Sequence, residues 1–298
     1  MTARTHGARV ARPDRWRWAT LAVLALALGG CGIGLVYPRL DTLGTWYVEG
    51  LVSLDDAQAD QLDRLLESRL DWHRDSELGR YAAFLRGLSS TVQGRPDAAA
   101  WRDAAGQAEV FWRDLGAGLA PVAVALGPTL SDGQVDELLR NLAEQDEEEW
   151  EEYADRTPEE RVERRQKSWR RGIERYTGRL DPAQRALIDE RAAASGSAIP
   201  EWREYRRAWR EELAATLRVR GDPAQFGPRM TRLFAHPDDW WTPGYRAALE
   251  RRRNDLIGLL ADLGATLTPR QRAAAGREFA SLAAELEALS KPGAGRRS

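Results

Sequence analysis

The chain has 298 residues, 44 basic and 46 acidic side chains, 43% hydrophobic content and 12 Trp, a balance that excludes a disordered polymer and suits a folded body with large apolar anchors. Removing the first 30 residues takes away five Arg and one Asp and leaves 39 basic against 45 acidic groups, so no nucleic-acid partner is expected. The single cysteine, Cys31, leaves no internal disulfide, and stability must come from the core.

Arg4, Arg9, Arg12, Arg15 and Arg17 form a basic head, and Ala19 to Leu28 is an apolar run without charge. This reads as a signal peptide over residues 1–30. A membrane-spanning helix needs about 20 apolar residues, roughly twice this run. Leu28-Gly29-Gly30-Cys31 resembles the lipobox of bacterial lipoproteins, in which the cysteine is lipidated on sulfur and becomes the mature N-terminus. The resemblance implies fatty chains such as palmitate on Cys31, each buried CH₂ adding about 0.8 kcal/mol of membrane affinity. A buried free cysteine is the alternative. Gly32, not aspartate, follows, which by analogy with Gram-negative sorting points to the periplasmic face of the outer membrane. Residues 31–38 read as a lipidated tether, because Gly32 and Gly34 resist helix and Pro38 can open one.

Beyond the tether, apolar residues recur at spacings of three and four, and strand alternation is almost absent. The expected fold is all-α, a single irregular bundle of about ten helices over residues 39–290, with a polar tail at 291–298. The helices fall near 39–50, 55–89, 97–118, 131–155, 158–177, 181–194, 200–219, 223–234, 243–264 and 268–289. Four starts share one pattern: "SLDDAQ" (53–58), "TLSDGQ" (129–134), "RLDPAQ" (179–184) and "TLTPRQ" (266–271). Each is a capping box, in which Asp, Ser or Thr caps the helix and a Gln three residues later returns a bond. "GDPAQF" (221–226) is a weaker copy, and "TPEE" (157–160) opens another helix. Irregular spacing excludes a short-period solenoid, so the boxes read as shared punctuation, not as duplicated units.

Ionisable groups fall on apolar stripes. His73 and Glu77 share a face with Leu62, Leu66 and Leu70; Asp146 and Glu149 continue the face of Val135, Leu138 and Leu142; Arg252 lies among Tyr245, Leu249 and Leu259. Buried charges must pair, so the pattern predicts one internal cluster of His73, Glu77, Arg80, Asp146, Glu149 and Arg252. Two meanings stay open: a structural network with side chains reaching water, or an acid–base or metal site. No metal or cofactor is expected, because only His6, His73 and His236 exist and His6 lies in the signal peptide. Gly-rich phosphate loops and nucleophile elbows are absent from the sequence. "EQDEEEWEE" (144–152) and "RVERRQKSWRR" (161–171) read as solvated faces of opposite charge. Trp202, Tyr205 and Trp209 form a stripe whose default is core packing and whose alternative is a binding surface.

Taken with the lipobox, the segments "YPRLDTLGTWYVEGLVSLDDAQ", "WHRDSELGRYAAFL", "AEQDEEEWEEY", "ERVERRQKSWRRGIERYTGRLDPAQ" and "WWTPGYRAALERRRNDLIGLLADLGATLTPRQ" resemble a family of bacterial lipoproteins known only as a domain of unknown function. That family has Pro where Gly79 stands and usually Asn at or beside Asp146. The resemblance implies a lipid-anchored helical protein without an assigned activity. A looser similarity connects "LTPRQ" to small periplasmic stress chaperones carrying Leu-Thr-x-x-Gln. The expected role is a non-catalytic binding or envelope-maintenance factor, held to the membrane by its N-terminal lipid, with an envelope protein or cell wall as partner. The alternative is a hydrolase of an envelope polymer using Glu77 and Glu149 as acid and base.

Overall fold

A computed structural model describes residues 33–291; residues 1–32, with the expected signal peptide and the expected lipidation site Cys31, and residues 292–298 lie outside the described residues. After a helical turn α1 (Ile33–Val36) and a 3₁₀ turn at Tyr37–Arg39 come α2 (Leu40–Glu49), α3 (Asp56–Ser76), α4 (Leu78–Gln93), α5 (Ala98–Leu126) and α6 (Asp132–Ala154). The second half holds α7 (Pro158–Thr177), α8 (Pro182–Ala194), α9 (Ile199–Arg218), α10 (Pro223–Ala235), α11 (Pro243–Thr266) and α12 (Pro269–Leu289). The architecture is an all-α irregular bundle, with no strand among the described residues.

Local chemistry sets the helix starts. Complete capping boxes form at Asp55/Gln58, Ser131/Gln134, Thr157/Glu160, Asp181/Gln184 and Thr268/Gln271. Four of these glutamines also do something the punctuation reading misses. Gln58 donates to Gln134 Oε1 at 3.1 Å, and Gln134 donates back to Gln58 Oε1 at 2.6 Å. Gln184 and Gln271 exchange the same pair of bonds at 3.0 and 2.8 Å. Each amide further donates to a carbonyl two residues before its partner's cap: Thr129, Ser53, Thr266 or Arg179. One reciprocal device therefore occurs twice, joining the starts of α3 and α6 and the starts of α8 and α12. It satisfies buried amides that would otherwise be costly, and Gln184 is only 1% exposed.

Two helix boundaries differ from the sequence expectation. The helix expected over 55–89 is broken at Glu77, which ends α3 and starts α4 with φ of -104°. The helix expected to stop near 118 runs on through Pro121 to Leu126; Pro121 has no N–H to give the carbonyl four residues back, which belongs to the exposed residue Ala117. By length and composition Ala98–Thr129 could cross a membrane. Its small residues instead seat neighbours: a Cβ on Gly118 would stand 2.1 Å from the Trp72 ring, and one on Gly116 would stand 2.3 Å from Phe234 O.

The tether is also corrected from Ile33 onward. Ile33 and Tyr37 are 8% and 4% exposed and pack with Leu78, Leu282, Leu286 and Leu289. An apolar Ile and Tyr gain more from this burial than a free linker retains in entropy. Along the same seam α12 lies on α4, where Ser89 Oγ donates to Gly276 O at 2.7 Å and Arg86 pairs with Glu287 at 2.5 Å. A second core joins Leu51, Val135, Leu213, Leu217, Phe226 and Leu233, and a third joins Leu180, Ile188, Leu259 and Leu263.

Candidate functional site

The ionisable residues expected in one cluster stand in separate settings. Where α3 meets α4, the His73 ring stacks on Tyr37 with centroids 5.8 Å apart, and His73 Nδ1 shares a 2.9 Å hydrogen bond with Tyr37 Oη. Tyr81 closes another side at 5.4 Å. Burial among these rings lowers the His73 pKa to about 4, so the imidazole is neutral at physiological pH. Glu77, 4% exposed, accepts from Arg80 Nη1 at 3.0 and 2.8 Å, and Arg80 also reaches Asp114 at 2.7 Å. The helix break at Glu77 turns this carboxylate inward to its guanidinium.

Asp146 belongs to the second setting. It is 5% exposed, and two arginines one turn apart on α9 hold its two oxygens: Arg206 Nε donates to Oδ1 at 2.9 Å, and Arg210 pairs with Oδ2. Burial lowers the pKa of both guanidinium groups, and Asp146 supplies the charge that allows them there. Glu149 is only half-buried and Arg252 is exposed, so neither completes the expected cluster. Long side chains at positions that share a helical spacing with apolar residues can still reach solvent.

The aromatic stripe of α9 joins this second setting. Arg206 stacks 4.9 Å from the Trp209 ring centroid and 5.8 Å from that of Trp202. Tyr205 lies flat on Tyr245 of α11, with centroids 5.0 Å apart and planes inclined by 3°. Trp241 meets Tyr245 edge-on at 5.7 Å, and Arg246 covers Trp241 at 5.4 Å. On α6, Trp150 lies under Arg203, which also pairs with Glu147 at 2.6 Å. Burial pushes the Tyr205 hydroxyl up to about 12. Trp209 anchors the stripe inward by donating to Leu233 O at 3.3 Å, whereas Trp202 and Tyr205 remain half-buried. The outcome is a wall of Trp, Tyr and Arg with one side on the core and one toward solvent.

Sequence reasoning missed Arg206, Arg210, Tyr37 and Asp114. A signal existed for Arg206, which lies four residues after Trp202 and three before Trp209, on the stripe already identified. His236, the remaining histidine among the described residues, is exposed at the end of α10. Among the described residues no group of three or more His, Cys, Asp or Glu gathers in a manner that could hold a metal ion.

A family model described as a family of unknown function, DUF6279, matches residues 50–246. The chain belongs to the DUF6279 family. The DUF6279 match takes in His73, Glu77, Asp146, Trp202, Arg206 and Tyr245, and ends near the start of α11. No curated protein and no solved structure matches the chain.

Proposed function

We propose that this member of the DUF6279 family is a lipid-anchored, non-catalytic binding factor of the bacterial outer membrane, facing the periplasm, and that an envelope protein covers its Trp/Tyr/Arg wall. One observation carries the reading: Arg206 is fixed by buried Asp146 and stacked between two tryptophans, while Tyr205 is stacked on Tyr245. Trp, Tyr and Arg are the residues that dominate binding energy in protein interfaces, and here their rotamers are locked before any partner arrives. The paired-carboxylate hydrolase has less support, because Glu77 is 4% exposed and committed to Arg80. The anchor rests on the lipobox-like sequence ending at Cys31.

A photo-crosslinking residue at exposed Arg246, which covers Trp241 in the wall, tests the reading in living cells. A recurrent adduct with one envelope protein, lost on Trp202→Ala, is expected. Adducts indistinguishable from those of a crosslinker at exposed Arg64 on α3 refute it. The anchor is tested separately by a labelled fatty acid: Cys31→Ser should abolish incorporation and release the chain from membranes.

A further inference from the structure

Each half of the chain carries one copy of the same pair of helix starts. "LDDAQ" (54–58) matches "LDPAQ" (180–184), and "LGPTLSDGQ" (126–134) matches "LGATLTPRQ" (263–271). The match extends to hydrogen bonds: Thr129 Oγ1 donates to Leu126 O and Thr266 Oγ1 to Leu263 O, both at 2.8 Å, and each glutamine pair exchanges two bonds. These are equivalent junctions in two halves, which corrects the reading of the boxes as shared punctuation alone. Beyond them α6 packs on α9, and α12 packs on α4. Twelve residues after the paired glutamine, Gln134 or Gln271, α6 carries Asp146 and α12 carries Ala283. Ala283 is fully buried in one core with Leu78, Ala82 and Leu286, so an apolar contact closes the α12 junction. The architecture does not require charge at this place, and the triad of Asp146, Arg206 and Arg210 needs another reason.

That triad is one anion short. Asp146 offers one negative charge to two guanidinium groups, and among the described residues no other carboxylate lies within 4 Å of either. Arg206 gives only Nε to Asp146; its two terminal nitrogens have no acceptor and are not sealed from solvent, the side chain being 20% exposed. Those nitrogens form the edge of the guanidinium that holds a carboxylate through two parallel bonds. Trp202 and Trp209 flank the group, so an incoming charge would meet it between apolar faces, where attraction is screened less than in water. We infer that the wall recognises an acidic side chain of its partner, whose carboxylate accepts from the terminal nitrogens of Arg206. Capture of a chain's C-terminal carboxylate relies instead on free backbone N–H groups. Arg206 and Arg210 project from the middle of α9, where the helix uses its own N–H groups. The inference rests on the reading of the wall as a binding surface and adds the partner's chemistry.

Capped dipeptides test it on the full-length protein in detergent, with isotope-labelled tryptophan read by magnetic resonance. Acetyl-Glu-Phe-amide should move the indole signals of Trp202 and Trp209 saturably and bind at least about tenfold tighter than its neutral isostere acetyl-Gln-Phe-amide, as a hydrogen bond to a charged group provides. Added salt should narrow that difference. Arg206→Gln leaves Asp146 paired with Arg210 and should bring the two peptides to equal affinity. A second variant combines Asp146→Ala, Arg206→Leu and Arg210→Ala, which imitates the apolar junction of α12 with α4. Because an apolar replacement of a whole buried ion cluster is tolerated, this chain should stay folded by circular dichroism and lose the preference as well. Equal binding of the two peptides by the parent chain, or a preference that survives in either folded variant, overturns the inference. Tighter binding of acetyl-Gln-Phe, with its free carboxyl terminus, than of the glutamyl peptide overturns the side-chain assignment. Failure of the Arg246 crosslink alone refutes the envelope partner, whereas the glutamyl preference still upholds the carboxylate site.

Discussion

At the scale of single residues, two buried groups turn protonation and charge into stability. His73 has an ordinary pKa of 6.5 and a folded value of about 4, lowered by burial. Above pH 6.5 the ring is neutral in both states and its packing against Tyr37 and Tyr81 contributes fully. Between pH 6.5 and about 4 the unfolded chain takes up a proton that the folded chain refuses, so stability falls as pH falls, and below pH 4 this loss levels off. The difference amounts to at most about 3 kcal/mol. Urea unfolding across this interval should show the decline in the parent chain and a flatter profile in His73→Gln. Asp146 makes the complementary case. Asp146→Ala removes the counter-charge of Arg206 and Arg210 together and should destabilise by about 3–5 kcal/mol, whereas replacing exposed Arg252 by Ala should change stability by less than about 0.5 kcal/mol. Thermal unfolding of the two variants measures the contrast.

At the scale of helices, what could be read from sequence is what local chemistry decides. Five capping boxes place five helix starts because the cap and the Gln or Glu three residues later are neighbours in the chain. The reciprocal bonds of Gln58 with Gln134 and of Gln184 with Gln271 span 76 and 87 residues, a relation that depends on packing and not on periodicity. The division of the polar residues escaped for the same reason. Helical spacing assigns a residue to a face, but which faces meet is settled by neighbours such as the Gly118 notch that receives Trp72. The glutamine pairs yield a measurable coupling. Gln184→Ala and Gln271→Ala each strip a cap and leave the other amide short of a partner, so the double variant should be less destabilised than the sum of the singles. A double-mutant cycle should return a coupling of about 1–2 kcal/mol, and a cycle between Gln58 and Gln271, members of different pairs, should return a value near zero. Equal coupling in both cycles would mean that the pairing is not a local device.

At the scale of the whole molecule, the limits of the family match and those of the folded body do not coincide. The match ends at residue 246, yet α12 begins at Pro269 and covers α4, with Ala82, Ala283, Leu282 and Leu286 in one core. Tyr37, which precedes the match, enters that core and meets His73. Cutting the chain to residues 50–246 would remove most of α11, all of α12 and α1–α2. Gln184 would lose its partner, and Leu180 and Ile188 would lose Leu259 and Leu263. Fully burying a Leu or Ile side chain contributes about 1.5–3 kcal/mol, so uncovering several at once costs an amount comparable with the 5–15 kcal/mol that typically holds a domain together. Residues 50–246 expressed alone should therefore show helical content without a cooperative thermal transition and should bind a hydrophobic dye. Residues 33–291 should instead unfold in a single transition. A sharp transition in the shorter piece would mean that α3–α10 form a self-sufficient core and that α11–α12 are an added layer; the packing of α12 along α4 argues for one cooperative body.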